Sequence, residues 1–194
     1  MSVYRVCRFI VLIILYPLFR IKVTGRENIP KEGPLIICAN HVSNFDPPVV
    51  GITQKRPISF MAKGELFDVP VLGKLLVKIR VFPVKRGLSD RNALRTGLDI
   101  LKQGNVLGLF PEGTRSKTGE VGKALGGAGF FALRSEAAVV PCAIVGAYKP
   151  FRQVKVIYGE PLDMAAFREN KASAQEVADA IMDEVRKLHK NVQL

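Results

Sequence analysis

The 194-residue chain carries 29 Lys or Arg against 17 Asp or Glu, giving a net charge of +12 and a pI of about 9.9. At roughly 150 residues per domain it can build one substantial core but not two, and a 48% hydrophobic content with mean hydropathy +0.17 excludes a disordered chain. Cys7, Cys38 and Cys142, with His41 and His189, form neither a disulfide framework nor a zinc spacing, so a reducing compartment fits.

The first element is an uncharged apolar run from Phe9 to Phe19, bounded by Arg8 and Arg20. It is far shorter than the roughly 20 apolar residues that span a bilayer. No small-residue cleavage site follows, which argues against a signal peptide. The run reads either as a buried core helix or as a segment lying in the membrane interface, with Arg5, Arg8, Arg20 and Lys22 reaching anionic headgroups. We assign 1–22 to a membrane-associating segment and 23–194 to a single layered α/β domain with a central mixed sheet flanked by helices.

Short apolar or β-branched runs at 35–39, 57–62, 79–84, 105–110, 139–146 and 153–158 predict the buried strands of that sheet. Between them, Ser89 is placed to cap a helix carrying Leu94, Leu98 and Leu101 and ending at Gly104. Ser173 and Glu176 form a capping box for a last helix that buries Val177, Ile181, Val185 and Leu188. The densest charge lies at 74–95, where seven basic side chains face only Asp90, a field that attracts anions.

Two loops after predicted strands carry the chemistry. Asn40-His41-Val42-Ser43-Asn44-Phe45-Asp46 follows the strand at 35–39. An imidazole there can take a proton from a hydroxyl at neutral pH, and a carboxylate on its other nitrogen fixes the tautomer and stabilises the imidazolium. His41 capping a turn and Asp46 capping the next helix is the structural alternative, and H-x4-D spacing alone does not decide. Phe110-Pro111-Glu112-Gly113-Thr114-Arg115-Ser116 ends the strand at 105–110; Gly113 permits close backbone approach and Arg115 offers a planar fork for phosphate oxygens.

Taken together, N-H-V-S-N-F-D at 40–46, K-G-E-L-F-D-V-P at 63–70 with F-P-V-K-R at 82–86, F-P-E-G-T-R-S at 110–116 and V-P-C-A-I-V-G at 140–146 resemble the four ordered blocks of the glycerolipid acyltransferases. Within that family the likeness is greatest to the bacterial enzymes acting on 1-acyl-sn-glycerol 3-phosphate, and it runs from about residue 23 to 162. The resemblance implies transfer of a fatty acyl group from acyl-CoA or acyl carrier protein to the 2-hydroxyl of lysophosphatidic acid, yielding phosphatidic acid at the cytoplasmic face of a membrane. It also implies no metal or prosthetic group, His41 as general base with Asp46 orienting it, and Lys63, Arg86, Glu112, Gly113, Thr114 and Arg115 as binding residues. Arg86 and Arg115 are the expected phosphate partners, and Val140-Pro141 is expected to pack near the acyl site. The block usually read as hydrophobic-Asp-Arg is Val84-Lys85-Arg86 here, which leaves glycerol 3-phosphate or another lysophospholipid open as acceptor.

Other patterns carry less. Gly127-Ala128-Gly129-Phe130-Phe131-Ala132 fits G-x-G-x-x-A, but no strand precedes it and no acidic residue lies near 147, so the glycines are expected to let a helix pack on the sheet or an acyl chain. Ser43 and Cys142 are weak candidate nucleophiles, the thiol lying in an apolar strand, and His189 is expected at a solvated helix end. The basic stretch lacks interleaved stacking aromatics, so no nucleic-acid partner is expected. A catalytically silent protein binding anionic lipid accounts for the amino terminus but not for the two loops.

Overall fold

The computed structural model describes residues 2–85 and 90–192. Its strands are β1 (Lys22–Thr24), β2 (Leu35–Ala39), β3 (Ile58–Lys63), β4 (Val81–Val84), β5 (Val106–Leu109), β6 (Ala138–Val145) and β7 (Lys155–Tyr158). They form one mixed sheet in the order β1-β7-β6-β2-β5-β3-β4, parallel at every neighbouring pair except β6 with β7. The helices are α1 (Val3–Leu18), α2 (Asp46–Thr53), α3 (Pro70–Lys78), α4 (Arg91–Lys102), α5 (Gly127–Arg134), α6 (Met164–Glu169) and α7 (Ala174–Lys190).

Helices cover both faces of the sheet, which explains the unbroken apolar run of β2. Successive strand side chains point to opposite faces. Leu35, Ile37 and Ala39 therefore pack with Leu15 of α1 and Val49 and Val50 of α2, while Ile36 and Cys38 pack with Leu101 of α4, Phe131 of α5 and Val177 and Ile181 of α7. From β2 the chain first builds β3, β4 and β5 on one side and then β6 on the other, so the loops after β2, β5 and β6 meet where open α/β sheets bind ligands.

All six expected strands form, within two residues of their predicted ends. β1 is an addition: three residues are too few for a periodic signal, and the strand exists through its parallel pairing with β7. α2 and α3 are also additions, eight and nine residues long with proline in the first turn, where its missing N–H costs nothing. The N-cap of α4 is Asp90, whose carboxylate accepts from the Asn92 and Ala93 amides at 3.1 Å each; the expected cap Ser89 lies outside the described residues. α7 opens on the expected capping box. The Gly127–Gly129 segment begins α5, but Gly129 packs it on the start of α7 rather than on the sheet: a Cβ there would sit 1.9 Å from the Ala174 carbonyl oxygen.

The amino-terminal run buries one face in the core and leaves the other exposed. One stripe of α1 docks on the core through Leu15 and, just beyond the helix, Phe19. Arg8 ties the helix to α2 through the Gly51 carbonyl at 3.0 Å. The opposite stripe leaves Phe9, Ile10, Ile13 and Ile14 at least half exposed. No helix among the described residues is long and apolar enough to cross a membrane.

Candidate active site

The loop after β2 is anchored before any chemistry is added. Asn40, almost fully buried, donates to the Ile144 carbonyl at 3.0 Å and accepts the Ile144 amide at 2.8 Å, fixing the end of β2 to β6. His41 is latched on both sides: its amide donates to Glu112 Oε1 at 2.9 Å, and its carbonyl accepts the Ser116 amide at 2.7 Å. The two loops singled out in the sequence thus bind one another through backbone as well as side chain.

The His41 side chain meets Asp46, with Nδ1 2.8 Å from Oδ2. Asp46 is fully buried at the start of α2, and its carboxylate turns back to the preceding loop instead of capping its own helix. Oδ2 also accepts the amides of Val42 and Ser43 at 2.7 Å each. Three donors thus converge on one carboxylate oxygen at the start of a helix. A carboxylate can only accept, so Nδ1 carries the proton and Nε2 is left for proton transfer. The imidazole lies flat on Phe110, ring centres 4.2 Å apart, and Phe110 lies on Phe60.

His41 stands where two largely apolar cavities join. The smaller, about 490 Å3, runs between α1, α2 and β3 and is lined by Val11, Gly51, Ile52, Ile58 and Phe60. The larger, about 800 Å3, is lined by Leu94, Leu109, Gly113, Thr114, Phe130 and Phe131. His41, Pro47 and Met61 line both. A third cavity, of about 820 Å3, carries Lys117, Arg186 and Lys190 and is not lined by His41.

The other expected site residues fall at different distances from this junction. Gly113 takes the left-handed φ of +66° that its residue type anticipates, and with Thr114 it lines the larger cavity. Arg115 follows on the exposed part of the same loop. Lys63 lines the smaller cavity and pairs with Glu65 at 2.9 Å. Arg86 lies outside the described residues. Glu112 touches the larger cavity, but Oε1 is occupied with the His41 amide; burial raises its pKa, and hydrogen bonds from the His41 and Gly122 amides oppose that rise. It holds the loop rather than presenting a free carboxylate.

Ser43 accepts the Phe45 amide and so shapes the loop. Cys142 is fully buried, and burial drives its thiol far above the ordinary range, which removes it as a nucleophile. Val140 lies in the core on the α1 and α2 side of the sheet. His189 departs from its expectation: it is half-buried, burial lowers its pKa, and it lines the basic cavity. Tyr148 escaped sequence reasoning altogether. Its hydroxyl donates to Asp46 Oδ1 at 2.7 Å, yet it is 102 residues away along the chain, and only the pairing of β6 with β2 brings it near.

The chain is similar to known proteins in sequence and in fold. The Acyltransferase family profile matches residues 20–145. The chain is 34% identical over 170 residues to the 1-acyl-sn-glycerol-3-phosphate acyltransferase of Bacillus subtilis, covering 84% of each chain. It is 33% identical over 138 residues to the chloroplastic 1-acyl-sn-glycerol-3-phosphate acyltransferase LPAT1 of Arabidopsis thaliana, covering 70% of this chain and 38% of that one. The crystal structure of the 1-acyl-sn-glycerophosphate (LPA) acyltransferase PlsC from Thermotoga maritima superposes with a TM-score of 0.76 at 25% identity, covering 97% of this chain and 82% of that one.

Proposed function

This chain belongs to the acyltransferase family and is an O-acyltransferase, and from that premise we propose that it moves a fatty acyl group from a thioester to the 2-hydroxyl of 1-acyl-sn-glycerol 3-phosphate, giving phosphatidic acid. The observation that carries this reading is the His41–Asp46 pair, 2.8 Å apart at the junction of two apolar cavities. A reaction that joins two chain-bearing molecules needs both cavities to open on one base. Gly113 and Thr114, next to Arg115, line the larger cavity, which assigns it to the phosphorylated acceptor and leaves the smaller one for the transferred chain.

His41 Nε2 takes the proton of the acceptor hydroxyl as its oxygen attacks the thioester carbonyl carbon. Asp46 stabilises the imidazolium that forms. Collapse of the tetrahedral intermediate breaks the C–S bond, and the departing sulfur recovers the proton from His41. The products are phosphatidic acid and a free thiol, with no acyl-enzyme and no metal in the scheme. Arg115 and Arg86 supply cationic partners for the acceptor phosphate. Acyl-CoA and acyl carrier protein are both anionic donors suited to the chain's basic surface.

Membrane association follows from the exposed stripe of α1. Phe9, Ile10, Ile13 and Ile14 enter the interface at the cytoplasmic face, and Val71 and Val77 of α3, 82% and 64% exposed, extend the apolar surface. Basic side chains nearby in sequence, Arg5, Arg20, Lys22, Lys74 and Lys78, suit anionic headgroups. Segment 1–22 then serves as docking element and 23–194 as catalytic domain.

The test is an acyl-transfer assay crossing acyl-CoA and acyl carrier protein donors with lysophosphatidate, glycerol 3-phosphate and neutral lysolipids. Turnover with lysophosphatidate is expected, together with its loss in His41→Ala, a change worth roughly 10²–10⁴-fold for proton transfer alone. Turnover confined to glycerol 3-phosphate or to a neutral lysolipid would replace the acceptor named here.

A further inference from the structure

The two oxygens of the Asp46 carboxylate have unequal duties. Oδ2 accepts from His41 Nδ1 and from two backbone amides, whereas Oδ1 accepts the Tyr148 hydroxyl at 2.7 Å. Asp46 has no exposure to water, so solvent cannot stand in for a lost donor. Burial first, and the adjacent Asp46 charge second, raise the Tyr148 hydroxyl far above the ordinary phenol range, which keeps it protonated and donating. The ring is held in place by Phe19, edge-on at 5.1 Å, and by Phe45 at 5.6 Å. Phe19 follows the last turn of α1, so the helix carrying the exposed apolar stripe also seats this tyrosine.

We propose that Tyr148 is a positioning residue of the acyl-transfer site: its hydroxyl fixes Asp46 in the rotamer that meets His41 and moderates the negative charge His41 experiences. The proposal rests on His41 acting as general base. Tyr148 does not line either cavity that joins at His41 and so acts through Asp46. Among the described residues, the titratable groups facing the pair include Glu112, bound to the His41 amide, and Cys142, a buried thiol that stays protonated, while Lys63, paired with Glu65, and Arg8, Lys85 and Asp90 line the cavities that His41 lines.

Tyr148→Phe removes the donor and keeps the ring that packs on Phe19 and Phe45. With one oxygen unpaired, the carboxylate is free to turn and its charge is less delocalised, so the imidazolium holds its proton more tightly. The variant, assayed with lysophosphatidate and the donor the parent uses, is expected to lose about tenfold in kcat, with KM for both substrates unchanged and the acid limb of the kcat profile moved to higher pH. The chain has two histidines, so NMR gives a readout independent of turnover: the His41 imidazole resonances titrate at higher pH than in the parent, while those of His189 stay put. Placing 3,5-difluorotyrosine at 148 leaves the shape almost unchanged and strengthens the donor, and it is expected to move the acid limb the other way. A parent-like kcat with an unmoved limb, or a fall in kcat without displacement of the limb and the His41 resonances, overturns the proposal. His41→Ala runs alongside: an active His41→Ala removes the general-base reading itself, whereas an inactive one beside an unaltered Tyr148→Phe removes only the role of Tyr148.

Discussion

Asp46→Asn isolates the charge of the dyad from its geometry. The asparagine carbonyl oxygen can occupy the Oδ2 position and accept from His41 Nδ1 and the Val42 and Ser43 amides. Its NH2 then lies where Oδ1 was and donates to the Tyr148 oxygen, which can accept once its own hydrogen turns away. The contacts made by residue 46 are all refilled, the Tyr148 hydrogen loses its acceptor, and the negative charge is gone. Nδ1 and Oδ2 are 2.8 Å apart, which puts the centres of the delocalised charges about 4 Å apart; at an effective dielectric constant of about 20 the imidazolium loses about 4 kcal/mol of attraction. At 1.36 kcal/mol per decade this predicts a fall in kcat of about 10³. The assay is release of free thiol from the thioester donor in the presence of lysophosphatidate, with the thermal transition checked against the parent. A folded Asp46→Asn within about tenfold of the parent would refute the reasoning, because the charge would then contribute almost nothing to the transition state.

Three further perturbations probe the cavities, the membrane face and the packing behind them. Gly51 lines the smaller cavity, and a Cβ there meets only Ile58 at an ordinary 3.8 Å; Gly51→Leu is expected to shift donor preference to thioesters shorter by about four carbons, the volume added to a packed interior, and an unchanged chain-length profile would place the transferred chain elsewhere. Replacing both Phe9 and Ile13, 60% and 52% exposed, with glutamate should weaken sedimentation with anionic vesicles about a hundredfold while leaving the thermal transition in place; undiminished binding would remove α1 as the docking element. Gly97 of α4 faces Phe131 so closely that a Cβ would lie 2.4 Å from the ring, so Gly97→Ala is expected to cost about 1–3 kcal/mol by urea unfolding, and parent-like stability would mean that the ring has room to move.

Residues whose signal is local were legible in the sequence. The strand run Leu35–Ala39 is apolar because helices cover both faces of the sheet, and such runs announce themselves wherever they occur. The capping box at Ser173 and Glu176 is complete within four residues. His41 and Asp46 are five residues apart on one loop, so their pairing is a short-range event. By contrast, β1 is too short to show periodicity and gains its identity from β7, more than a hundred residues away. For a related reason only part of Glu112's surroundings was legible: its place in a substrate-like loop was evident, but its bond to the His41 amide depends on β5 lying beside β2.

The sequence by itself determined the layered α/β class, the nearness of His41 to Asp46, and the amphipathic tension of a basic chain with an apolar amino terminus, because each follows from residue type and near-neighbour spacing. The tertiary structure decided how those parts meet. Placing β2 between β5 and β6 brings the loop of Glu112 and the hydroxyl of Tyr148 to the same dyad. Packing α1 by one stripe leaves its other stripe exposed, and the same packing brings two cavities together at one imidazole. These are relations between segments far apart along the chain, and strand order, which sets them, has no local signature in the sequence.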